Sequence, residues 1–278
     1  MTLKLIKSIF KKRPIDSKKG DFGRLLVVGG SRMYTGAPAL CALAAQNCGC
    51  DLTVVVAPER AADIVASFSP CLITVPLSGD FLKSEHLDLV VSLSLRSHAV
   101  VIGPGLSRES VALRAVCEFM KRVKVPCVID ADAICALGKC KWKGDGGRFV
   151  VTAHRHEFLE LTGVDLSKKK DVVREVERAA KKLGAVILLK GHEDVISDGK
   201  RTVLNKTGNP YMTKGGTGDV LAGICGALLA RGADVFDAAA ASAYICGAAG
   251  DAAAVVHGES LLAIDVIEEI GGIVNVSL

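Results

Sequence analysis

The chain has 278 residues and a net charge of +5; half of it is hydrophobic and only 4% is aromatic. That length allows one large or two small domains with a substantial core, which this composition must build from Ala, Val, Leu and Ile. The charge is modest and local: Lys4, Lys7, Lys11, Lys12, Arg13, Lys18 and Lys19 carry much of it. Only Phe10 is interleaved among them, so residues 1–12 read as a solvated basic arm and no nucleic-acid partner is expected. No apolar stretch follows those charges, which argues against a secretory signal. No uninterrupted apolar run reaches the roughly 18 residues of a membrane span. The stretch 238–250 comes nearest, and its Ala and Gly content suits helix packing, so no membrane is expected. The 10 cysteines show no C-x-x-C spacing. Most lie in apolar runs (Cys41, Cys117, Cys135, Cys225, Cys246) and read as small hydrophobes of a reducing cytoplasm. Buried disulfides stay open for a hyperthermophilic source.

In chain order, RLLVV at 24–28 is a β-branched run closed by two glycines, the pattern of a buried strand. A small-residue helix over 36–48 and a strand over 52–56 follow. The alternation continues with a helix at 58–68, a strand at 72–75, a helix at 85–95 and a strand at 99–102. Next come a helix at 110–123, strands at 127–129 and 149–151, and a helix at 157–161. A more polar helix at 171–183 precedes a strand at 186–189. The segments 195–197 and 202–205 flank Asp198-Gly199, a hairpin turn signal. The last third reads as helices at 219–230, 235–249 and 261–270. Strand after helix after strand predicts an α/β fold, a mostly parallel sheet with helices on both faces, in one domain. Ligands of such sheets gather at the carboxyl ends of the strands. The rim expected there comprises Gly29-Gly30-Ser31, Gly103-Pro104-Gly105, Asp130-Ala131-Asp132, Thr152-Ala153-His154 and Lys190-Gly191-His192.

The sharpest chemical signal is Gly215-Gly216-Thr217-Gly218-Asp219, running straight into an apolar helix. A helix start offers unpaired N–H groups and partial positive charge, and glycines let an anion approach closely. An acid there favours the helix dipole, which is one reading. The other is catalytic: Asp219 takes a proton from a hydroxyl that attacks a phosphoryl group, while the backbone amides stabilise the developing charge. The apolar character of the helix on every side predicts burial and favours the second reading. A Walker loop is excluded, because Cys140 and Arg201 follow the two Gly-Lys pairs where Ser or Thr is needed. His154-x-His156-Glu157 lacks zinc-helix spacing, so no metal is assigned to it. Glu157 reads as a helix-start acid or a loop contact to substrate, and Lys190 as a phosphate contact or a solvated amine. Asp130 or Asp132 could hold Mg2+ through water, with surface capping the alternative for Asp132.

The segment GNPYMTKGGTGDVLAGICGALLARG (208–232) resembles the C-terminal signature of the NAD(P)H-hydrate dehydratases, members of the ribokinase-like superfamily. RPIDSKKGDFGRLLVVGGSRMYTGAP (13–38), VIGPGL (101–106), DADAICAL (130–137), VTAHRHEFLELTG (151–163) and LLKGHEDVISDG (188–199) resemble further blocks in the family's order. The resemblance implies a ribokinase-like three-layer α/β/α fold with a mostly parallel central sheet. It implies that ADP or ATP phosphorylates hydrated NADH or NADPH, after which phosphate leaves and the dihydronicotinamide is restored. By position, Asp219 is then the base and Gly215, Gly216, Thr217 and Gly218 the anion hole. Ala37, Gly105 and His154 fall where the family contacts the hydrated dinucleotide. Lys190, Gly191, His192, Glu193, Asp194 and Gly218 fall where it contacts the adenine nucleotide, and Asn209 lies near the phosphates. The family's usual proline before the histidine is Ala153 here, and Tyr211 and Lys214 also depart from the common pattern. The resemblance further implies Mg2+ with the nucleotide and a homo-oligomer, commonly a tetramer. Many relatives carry a preceding epimerase domain; the span before Arg13 leaves no room for one, so that activity is not expected. A thiazole- or hydroxymethylpyrimidine-type kinase of the same fold, or a non-catalytic nucleotide-binding protein, is the alternative.

Overall fold

The computed structural model describes residues 3–275. Nine strands form one sheet: β1 (Arg24–Val28), β2 (Leu52–Pro58), β3 (Ile73–Leu77), β4 (Ala99–Ile102), β5 (Cys127–Asp130), β6 (Phe149–Ala153), β7 (Val186–Leu189), β8 (Asp194–Ser197) and β9 (Thr202–Asn205). Their order is β3-β2-β1-β4-β5-β6-β7-β8-β9. The first seven are parallel, and β8 and β9 close one edge as an antiparallel hairpin. This is the mostly parallel α/β sheet that the alternation predicts, hairpin included.

The central strands are apolar on both faces because both faces are covered. Leu25 and Val27 of β1 and Ala99 and Val101 of β4 join one core. Leu26, Val28, Val100 and Ile102, one residue out of phase, join the other. The first core is shared with α2 (Gly36–Asn47), α3 (Glu59–Phe68), α9 (Thr217–Ala230), α10 (Val235–His257) and α11 (Ala263–Asn275). The second is shared with α4 (Leu87–Ser94), α5 (Ser110–Arg122), α6 (Asp132–Lys139), α7 (Arg155–Thr162) and α8 (Val172–Leu183). The result is a three-layer α/β/α arrangement.

Three expectations need correction. The arm at 1–12 is not simply solvated: α1 (Leu3–Ile9) is a helix, and Ile6 and Phe10, on one face at i and i+4, are buried. Lys7, Lys11 and Lys12 are exposed as expected, while Met1 and Thr2 lie outside the described residues. The helix α6 was not predicted from the sequence. Helix α10 runs past Ala249 to His257 and is, among the described residues, the one helix long and apolar enough to cross a membrane. Most of its apolar stretch is buried within the fold, as in a core helix, where it packs against α9, α11 and β7.

Strand order reverses between β1, whose successor β2 lies on one side, and β4 on the other. The loops that leave these two strands part above the sheet, which opens a crevice at their carboxyl ends. Two glycines let the walls come close. A Cβ on Gly29 would stand 2.4 Å from the Pro104 carbonyl, and one on Gly103, at φ +132°, only 1.7 Å from the Asp130 carbonyl.

Candidate active site

Helix α9 brings its N-terminus to this rim. Gly216 precedes it at φ +96°, a left-handed conformation that glycine adopts without strain. A Cβ on Gly216 would strike Leu40 at 2.5 Å, so this glycine is also fixed by packing. Thr217 donates its hydroxyl to the carbonyls of Met212 and Lys214, both at 3.0 Å, which pins the preceding loop. The backbone N–H groups of Thr217, Gly218 and Asp219 have no protein acceptor among the described residues. The rest of α9, Val220–Ala230, is buried. The amides are therefore left pointing at the rim.

Asp219 is partly buried in the first turn and makes neither a hydrogen bond nor an ion pair among the described residues. Burial, reinforced by the negative charges of Asp130, Asp132 and Glu157 and opposed by Lys190, raises its pKa to about 8. A carboxyl poised near neutrality, with no internal partner, is suited to take a proton.

Next to it lies a paired charge cluster. Lys190 Nζ is 3.2 Å from Asp130 Oδ1 and 3.6 Å from Glu157 Oε2. Asp130 is buried and also accepts the Thr152 hydroxyl at 2.7 Å. Burial works against the charge on Lys190, but Asp130, Glu157 and Asp219 outweigh it and hold its pKa above the ordinary value. The ammonium stands at the helix mouth, 3.5 Å from where a Cβ on Gly218 would be. Glu157 caps α7: its carboxylate accepts the His154 N–H at 2.8 Å, while His154 Nδ1 accepts from the N–H groups of His156 and Glu157. The helix-start reading of Glu157 is the one the structure bears out.

Two clefts meet at this mouth. One, of about 960 Å3, is lined by Ala37, Gly105, Asp219, Tyr34 and several arginines. The other, of about 770 Å3, is lined by His154, Lys190, Gly191, His192, Asp194, Asn209, Thr217 and Gly218. Consecutive residues, Gly218 and Asp219, thus face different clefts.

Most residues singled out from the sequence come together, with particular differences. His154 lines the second cleft with Lys190, not the first with Ala37 and Gly105. Glu193 lies outside both clefts and pairs with Lys206 at 3.0 Å. Asp194 accepts from the Gly191 N–H and from Asn205, each at 3.0 Å, and so shapes the turn between β7 and β8. Asn209 donates to the Gly250 carbonyl and to Asp251 and accepts the Tyr211 N–H, which ties the loop before α9 to α10. Gly215 and Gly216 shape the turn rather than line a cleft.

The described residues offer no ready cage for Mg2+. Among the described residues no group of three or more His, Cys, Asp or Glu side chains is placed to hold a metal. Asp130 is engaged by Lys190 and Thr152, and Asp132 accepts the Ser107 N–H at 2.9 Å and faces Arg108 at 3.4 Å. Any Mg2+ would arrive on nucleotide phosphates, its usual carrier. All 10 cysteines are free thiols.

Sequence reasoning missed Arg32, Arg60 and Arg108, which line the first cleft. The signal was available for Arg60: it stands two residues past β2, and the carboxyl end of that strand belongs to the same rim.

Fold and site together place the chain in the ribokinase-like α/β class, with a cleft on either side of an amide-rich helix mouth. The chain belongs to the NAD(P)H-hydrate dehydratase family, whose profile matches residues 25–271. A bifunctional NAD(P)H-hydrate repair enzyme from Pyrobaculum aerophilum is 46% identical over 95% of this chain and 52% of its own length. The chain thus spans about half the length of such bifunctional relatives. An ADP-dependent (S)-NAD(P)H-hydrate dehydratase from Cenarchaeum symbiosum is 39% identical over 95% of this chain and 92% of its own length. The ADP/ATP-dependent NAD(P)H-hydrate dehydratase from Bacillus subtilis, co-crystallized with ATP and Mg2+, superposes with a TM-score of 0.84 at 26% identity, over 100% of this chain and 98% of that one.

Proposed function

We propose that the chain dehydrates hydrated NADH or NADPH at the cost of one phosphoanhydride bond of ADP or ATP. The nucleotide occupies the second cleft, its terminal phosphate against the amides of Thr217, Gly218 and Asp219 and the ammonium of Lys190. The hydrated nicotinamide enters the first cleft and presents its hydroxyl to Asp219. Asp219 removes the hydroxyl proton as the oxygen attacks phosphorus, and the phosphoanhydride bond breaks. The departing nucleotide carries the electron pair. The phosphorylated oxygen then leaves as inorganic phosphate, its carbon–oxygen bond breaking while the neighbouring carbon loses a proton. That step restores the ring double bond. The backbone amides stabilise charge that develops only during transfer, which is the use of preorganised donors.

The observation that carries this reading is the place of Asp219, at the seam of two clefts and without an internal partner. The test is direct. Purified chain, nucleotide and hydrate should give the absorbance of regenerated dihydronicotinamide with one equivalent of phosphate released. Asp219→Asn should lower kcat by about 10^2–10^4-fold, the range for loss of a positioned base. A stable phosphoester in place of the dihydronicotinamide would instead identify a kinase. The same reading places the enzyme in the cytoplasm, in keeping with its free thiols, and as a homo-oligomer. Exposed Val255, Val256 and Leu262 around the α10–α11 turn support the latter. Sedimentation velocity checks it, and a monomer at micromolar concentration excludes it.

A further inference from the structure

Nothing in the chemistry at Asp219 requires the arginines of the first cleft. Arg32, Arg60 and Arg108 all line it. Arg108 is held by Glu160 at 2.7 Å and Asp132 at 3.4 Å. Arg32 faces Asp80 at 3.3 Å with both groups in solvent, an arrangement that binds weakly. Arg60 makes no ion pair among the described residues; its Nη1 donates to the backbone carbonyl of Arg32 at 2.6 Å. That one bond tethers the guanidinium to the cleft wall and leaves its other donors without a protein acceptor among the described residues.

The distance along the rim fits a long anionic substrate. Arg60 is the second residue of α3 and follows β2, whereas Asp130, beside Asp219, ends β5. In the sheet these strands are separated by β1 and β4. At roughly 4.8 Å per strand, the strand that leads to Arg60 lies about 14 Å along the rim from the one that ends at Asp130, beside the proton acceptor. Tyr34 and Phe81 line the same cleft and offer aromatic faces to a base.

We propose that Arg60 is a specificity-determining residue of the dinucleotide subsite and receives a phosphate of the hydrated dinucleotide whose ring lies at Asp219. This rests on the dehydratase reading given above. A planar guanidinium fork matches a phosphate in two-point contact, and an arginine without a carboxylate partner keeps that fork available. The dinucleotide carries this chemistry in two places: its pyrophosphate, and the 2′-phosphate that distinguishes the NADPH form.

The experiment is steady-state kinetics of the full chain with NADPH-hydrate and NADH-hydrate at saturating nucleotide. It compares wild type, Arg60→Ala and Arg114→Ala, the last an exposed position on α5 away from both clefts. Arg60→Ala should raise KM for at least one hydrate about tenfold or more, the scale of a lost charged hydrogen bond. The nucleotide KM and the melting temperature should stay put, and Arg114→Ala should leave KM for both hydrates unchanged. A rise confined to NADPH-hydrate assigns the 2′-phosphate, and an equal rise for both assigns the pyrophosphate. KM within twofold of wild type for both hydrates overturns the proposal. Absence of turnover in the wild type would overturn the dehydratase reading instead. Equilibrium binding of NADP+ and NAD+ to wild type and Arg60→Ala then still decides the arginine: a tenfold loss supports it and equal affinity sinks it.

Discussion

At the scale of single residues, the role proposed for Asp219 links catalysis to stability. Its pKa is about 8 in the folded chain against the ordinary 3.8. Between those values the unfolded chain ionises this carboxyl while the folded chain keeps it protonated. Stability on its account therefore falls as pH rises from about 4 to 8 and is level above that. Asp219→Asn removes the effect, so its melting temperature should exceed that of wild type by a margin that grows from pH 5 to 8 and then stays constant. Differential scanning fluorimetry across that range checks the sign; a variant equal to wild type at pH 9 would show that the carboxyl is not held protonated. In the wild type, kcat/KM should climb with pH through about 8, because it reports the base of the free enzyme. The acid and its glycines were legible from one short stretch of sequence. The pairing of the counter-ions was not: Asp130 and Lys190, 60 residues apart, were both expected on the rim, but only the strand order, with β6 alone between β5 and β7, brings them into contact.

At the scale of elements, helix glycines divide by what surrounds them. Gly223 of α9 packs so closely on α2 that a Cβ would stand 2.1 Å from the Cys41 carbonyl. Gly271 of α11 has nothing within 4 Å of that position. Gly223→Ala should therefore destabilise by about 1–3 kcal/mol through overpacking, and Gly271→Ala should stabilise by roughly 0.5–1 kcal/mol through helix propensity. Thermal or urea unfolding of both variants measures this, and equal signs would mean that the α2–α9 contact yields. Such packing also explains what was readable in elements. Strands buried on both faces are continuous apolar runs with glycine near their ends, so β1, β4 and β7 stood out. The eight-residue α6 did not, because it starts after Ala131 at φ +48°, with Gly138 near its end, and its apolar residues resemble a strand. Helix α1 was hidden by its lysines, which project to solvent while Ile6 and Phe10 dock inward.

At the scale of the whole molecule, the strand order places the two clefts over different halves of the sheet, one above β2, β1 and β4 and the other above β6, β7 and β8. The pattern of residues indicated only the rim, and the family resemblance assigned two ligands to separate sets of residues along it; that the clefts part between Gly218 and Asp219 depends on where α9 lands, which long-range packing decides. The division has a thermodynamic consequence under the proposed reaction. Nucleotide should bind its own cleft without the hydrate, and a ligand that binds only the folded chain raises stability by RT ln(1 + [L]/Kd). At about 100 times Kd that is roughly 2.7 kcal/mol, a rise of about 5–10 °C for a chain of this size. Because Asp219 lines the other cleft, Asp219→Asn should keep this rise while losing turnover. Melting curves of both proteins with MgATP or MgADP, with and without NADP+, decide it. A nucleotide-induced shift that disappears in Asp219→Asn would place the carboxyl in the nucleotide seat. A shift that appears only when NADP+ is also present would show that the second cleft forms only after the first is filled.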